Sequence, residues 1–108
     1  MDATLRGGLS DLVNTLNKLR NNTDDPDEAD RIQKVLRVLF ALWEEVIHQD
    51  INSQTAAYAK ALSSLGEAKA AVQDALTDLK KTAKAINSAV KAAKAVDKIV
   101  KLIGPLFL

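Results

Sequence analysis

A seven-residue rhythm constrains this chain more than any other feature. From Tyr58 onward, one set of positions reads Tyr58, Leu65, Val72, Leu79, Ile86, Ala93 and Val100. A second set, three residues further on, reads Ala61, Ala68, Ala75, Thr82, Ala89, Val96 and Ile103. Apolar residues recurring at steps of three and four form one stripe along a helix and leave the other faces to charge. The fold class is therefore all-α. Composition agrees: 14 of the 17 alanines fall at or after residue 56, and the 108 residues include only four Gly and two Pro. Alanine is the best helix former, and its small side chain lets helix backbones approach closely. A chain of this length makes one domain, residues 1–108.

Two shorter helices precede the rhythmic region. Leu5, Leu9, Leu12, Leu16 and Leu19 make one stripe, which ends in Asn21, Asn22 and Thr23, so the first helix covers about 3–21. Asp25-Pro26-Asp27-Glu28 is a strong start signal. It offers a capping acid, Pro at the first helical position, and Glu three residues after the cap. The second helix then runs over about 26–49 and buries Ile32, Val35, Leu36, Leu39, Phe40, Trp43, Val46 and Ile47. Polar residues surround a lone Ile51, and the seven-residue frame fails when extended back through them. The next bend belongs at 48–55. A rival bend at 63–66 rests on Ser64, Gly66 and Glu67. The frame runs straight through those residues, so the 48–55 bend is preferred.

The preferred frame predicts a third helix over about 54–103, ended by Gly104-Pro105. At 1.5 Å per residue it would be roughly 75 Å long, twice the reach of the second helix. Its seam would overhang its partners, so Leu79, Ile86, Val90, Val96, Val100 and Ile103 would need an external cover. The expected form is a helical bundle or coiled-coil-like oligomer, with a homo-oligomer or a partner helix covering the seam.

The net charge of +1 conceals a dipolar chain. Residues 1–50 hold ten acids against six bases, while residues 80–108 hold seven Lys against Asp97 alone. On the helical wheel those lysines share one side, opposite the apolar stripe. Segment 80–108 is thus a cationic amphipathic helix closing in Leu106, Phe107 and Leu108, a pattern suited to an anionic membrane surface. Lys84, Lys91, Lys94, Lys98, Lys101 and Phe107 are the candidate contacts with lipid or with an acidic partner. Nucleic acid is disfavoured, because the segment has no Arg and no aromatic before Phe107.

Chemistry finds little support in these residues. With no Cys and a single His, thiol catalysis and multi-His metal sites are excluded within one chain. Glu45 and His48 have the spacing of a di-iron ligand pair, but the facing carboxylates such a site needs are missing. No phosphate-binding glycine loop or nucleophile elbow is present. No catalytic, cofactor-binding or metal residue is expected. The longest apolar run, residues 38–43, is far short of the roughly 20 needed to span a bilayer. With no export signal visible, the expected location is the cytoplasm, with peripheral membrane association as the alternative. The expected function is non-enzymatic assembly through the seam of the last helix. The alternative is a membrane-active role for its cationic face.

Overall fold

The computed structural model describes residues 4–49 and 51–101. They form four helices: α1 (Leu5–Asn22), α2 (Pro26–His48), α3 (Ala56–Thr77) and α4 (Thr82–Val100), with one tight 3₁₀ turn, Leu79–Lys81, between the last two. The all-α expectation holds, as a compact bundle measuring 40 × 30 × 18 Å.

The expected count of three helices does not hold. The long third helix is broken at residues 78–81 and folds back, giving α3 and α4. Neither sequence-derived bend marks this place. The 48–55 bend is real and separates α2 from α3, whereas Ser64, Leu65 and Gly66 lie inside α3. The overhang disappears with the long helix, because α4 packs along α3 and α2 instead of projecting beyond them.

Local chemistry explains each boundary. The Thr4 side chain caps α1 by accepting from Gly7 N at 3.0 Å. Asp25 caps α2, with Pro26 at the first position as expected and Asp25 Oδ1 accepting from Asp27 N at 2.9 Å. Thr55 caps α3 through Tyr58 N. At the unexpected corner, Asp74 O accepts both the Asp78 N–H and the Thr77 hydroxyl. Asp78 Oδ1 then accepts from Lys80 N, and Thr82 Oγ1 donates to Leu79 O at 2.7 Å. Short polar side chains thus close the turn without Gly or Pro. Helix α4 ends at Val100, before Gly104-Pro105, with Lys101 in the left-handed region at φ 56°. Residues 104 and 105 lie outside the described residues.

The topology is two hairpins laid on each other in the same orientation. Helix α1 pairs with α2, and α3 with α4. Helix α1 also lies beside α3, and α2 beside α4. Cross-contacts give the direction. The Tyr58 hydroxyl accepts the Leu5 N–H at 3.1 Å, and Asp11 faces Lys69 at 3.5 Å, so α1 and α3 run parallel. Arg31 donates to Asn87, and Gln49 donates to Val100 O, so α2 and α4 run parallel too. All the helix beginnings and ends therefore collect at two poles. One, the base, holds the start of α1, the end of α2, the start of α3 and the end of α4.

The core is leucine-rich on one side and alanine-rich on the other. Leu9, Leu12, Leu16, Leu19, Leu39 and Leu42 are buried on α1 and α2, while Ala61, Ala68, Ala75, Ala85, Ala89, Ala92 and Ala93 are buried on α3 and α4. Two glycines separate close packing from open surface. An added Cβ at Gly8 would lie 2.9 Å from Leu65 Cδ1, whereas one at Gly66 would meet nothing within 4 Å. Gly66→Ala is expected to stabilise the fold by about 1 kcal/mol, the helix-propensity difference. Gly8→Ala should gain less, because Leu65 must shift. Urea midpoints of the two variants check this; an equal gain would mean that α1 and α3 are not closely packed.

Candidate functional site

The residues expected to form an exposed seam are mostly inside the bundle. Ile86, Val96 and Val100 are buried, Val90 is half-buried, and Leu79 at the corner is 39% exposed. Ile103 lies outside the described residues. Helices α2 and α3 cover the apolar face of α4, so this surface is already used within the chain.

The lysines lie elsewhere. Lys84, Lys91, Lys94 and Lys98 are all exposed on the outer side of α4, and Lys101 is exposed at its end. Lys84, Lys91 and Lys98 are seven residues apart, which on a helix makes a nearly straight row with steps of about 10.5 Å. Phe107, the remaining expected contact, lies outside the described residues.

Neighbouring helices modify this row unequally. A groove of about 400 Å³ between α3 and α4 sets Glu67 and Asp74 opposite Lys81 and Lys84. Toward α2 the surface stays basic: a second groove, of about 300 Å³, is lined by Arg31, Lys34, Asn87 and Val90 among others. Lys34 reaches Asp30 at 3.4 Å, but both side chains are about two-thirds exposed, so this pair contributes little.

The corner at 78–81 changes what the lysines mean energetically. On one long helix, Lys80, Lys81 and Lys84 would lie in its C-terminal half, on the side of the negative dipole end. In the structure they flank the start of α4, whose cap residue Lys81 makes no side-chain capping bond. Cations at a helix N-terminus oppose the dipole, by roughly 0.3–1 kcal/mol each at exposed positions. The helix dipole gives no stabilisation for placing them there.

The rest of the surface offers less. Phe40 and Ile47, one heptad apart on α2, are 52% and 42% exposed, against the expectation that both are core. Trp43 is half-buried against the core, with its indole Nε1 buried and unpartnered. Glu45 accepts from Gln49 Nε2 at 2.8 Å, and His48 is exposed. Among the described residues, no cluster of three or more His, Asp or Glu side chains is placed to hold a metal ion. No helix among them is long and apolar enough to cross a membrane.

The lysine face was legible in the sequence. The α2 side of it, with Arg31 and Lys34, was not, because only the packing of α2 against α4 brings those residues beside it. Comparison with models of known protein families, with curated proteins and with solved structures returned no match.

Proposed function

We propose that this protein is a non-enzymatic interaction module that docks on anionic lipid surfaces through the lysine face of α4. The observation that carries this reading is the exposed row Lys84, Lys91, Lys94 and Lys98 on a helix whose apolar face is already covered. Three of these lysines, Lys84, Lys91 and Lys98, form a nearly straight row that suits a flat array of headgroup phosphates, with Lys94 beside it. It lacks the guanidinium and aromatic groups that read or stack on bases.

Magnitude sets the character of the binding. Each lysine near an anionic leaflet contributes about 1 kcal/mol, and four such contributions correspond to about millimolar affinity. Docking by this face is therefore weak, reversible and salt-dependent. Co-sedimentation with phosphatidylglycerol vesicles at low salt tests it. The wild-type protein is expected to bind, and to release in 0.5 M salt. The variant with Lys84, Lys91, Lys94 and Lys98 all changed to Glu should lose binding by about a hundred-fold or more, with its helix content unchanged. Wild-type protein that ignores fully anionic vesicles at low salt would end this reading.

Self-association is the second reading, and it keeps one observation in its favour. Phe40 is more than half exposed, on α2. If it is buried between two copies, sedimentation will show a dimer that Phe40→Lys dissociates.

A further inference from the structure

We propose that two copies of this chain pair through the outward face of α2, antiparallel about a two-fold axis at Phe40. This inference rests on the self-association reading and is independent of lipid docking. Helix α2 packs against α1 and α4. Its remaining side carries Gln33, Arg37, Phe40, Glu44 and Ile47, of which Gln33 is half-buried and the other four are exposed. Steps of four, three, four and three place these five on one stripe, the spacing by which paired helices meet. Phe40 and Ile47 are two of the three large apolar side chains left exposed among the described residues, so this is where apolar surface is concentrated.

The order of the charges selects both the occupant and its direction. Arg37 lies about 4.5 Å before Phe40 along the helix axis, and Glu44 about 6 Å after it. Among the described residues, neither Arg37 nor Glu44 has a hydrogen-bond or ion-pair partner within the chain. A two-fold interface must be complementary to itself, with residue i meeting j while j meets i. A basic residue, an apolar centre and an acidic residue at nearly equal spacing meet that condition. When a second α2 is turned end over end about Phe40, each Arg37 comes opposite the partner's Glu44. Each Gln33 comes opposite the partner's Ile47, and the register agrees to within one residue. A parallel pair would set Arg37 against Arg37 and Glu44 against Glu44, which repel. The lysine face of α4 fails the same condition, because any two-fold there sets cation on cation.

The patch is small, so the dimer is expected to be weak, with a dissociation constant of about 100 µM. Sedimentation equilibrium of the full-length protein, up to about 500 µM and at low salt, measures it. Arg37→Glu sets acid against acid at both symmetric positions, and Glu44→Arg sets base against base. Each should weaken the dimer at least about thirty-fold, with helix content unchanged. An equal mixture of these two variants restores both opposite-charge pairs, and so does the double variant. Both samples are expected to associate within about three-fold of wild type. A wild-type dimer that Phe40→Lys dissociates but Arg37→Glu does not would overturn this register and leave self-association standing. A mixture no tighter than its separate components would overturn it in the same way. Wild type that stays monomeric throughout would overturn both.

Discussion

Val96→Asp is expected to leave the protein unfolded in plain buffer. Val96 is fully buried on α4, inside a bundle where α2 and α3 flank that helix. A carboxylate there must be dehydrated without a designed partner, or protonated at a cost, and it also removes apolar packing. Changes of this kind cost about 4 kcal/mol or more. Folded domains have roughly 5–15 kcal/mol in all, and a chain this small, whose alanine-rich half buries little area per residue, sits at the low end, where the combined loss of packing and burial of charge removes it. Far-UV circular dichroism should show most helix lost. Val90→Asp is the useful comparison. Val90 is half-buried at a groove mouth beside Arg31 and Lys34, so the new carboxylate stays near water and cations. That variant should fold, with a lowered urea midpoint. If Val96→Asp keeps the wild-type midpoint, the inward face of α4 is not the one described.

The second large effect runs the other way in volume. Ala89→Leu is expected to destabilise by about 2–3 kcal/mol. Ala89 is fully buried, on a helix whose partner α3 presents Ala61, Ala68 and Ala75 to the same core. Small residues on both helices let the backbones approach, leaving no space for a larger side chain, so the added atoms must push α3 and α4 apart. Helix propensity cannot be the cause, since Leu is nearly as good a helix former as Ala. Ala83→Leu on the exposed side of α4 controls for it and should change stability by less than about 0.5 kcal/mol. At this chain length the Ala89→Leu penalty lowers Tm by about 10 °C. Equal melting of the two variants would refute the tight α3–α4 approach.

The sequence showed what was buried better than where the chain turned. The first three helix starts and the first two helix ends were legible within about two residues, because Asn22-Thr23, Asp25-Pro26 and the polar 48–55 segment are chemically loud. The corner at 78–81 was silent for a specific reason. It contains no Gly or Pro, and the chain reverses without losing the seven-residue count. Val72 before it and Ile86 after it are both buried. Periodicity reports which side of a helix faces the core, and it carries no information about direction along the axis. One weak signal was available. Thr77-Asp78 are poor helix formers whose side chains bond the nearby backbone. In the structure Leu79, at the centre of the supposed seam, is the described member of the two rows left exposed. The candidate face was half legible for the same reason: the lysine spacing lies in the sequence, while its neighbours depend on the reversal.

The same-orientation stacking of the two hairpins has a consequence for how the molecule comes apart. The bonds that join one hairpin to the other link residues 51, 53 and 56 positions apart, nearly one constant separation. The entropy of closing a long loop depends on that separation. Once the first of these contacts has formed, the others close almost no further chain. The interface between the hairpins therefore zips as one unit, and each hairpin contributes an apolar face that the other must cover. Loss of either half exposes both, so unfolding is expected to be a single transition, with coincident midpoints by circular dichroism and Trp43 fluorescence.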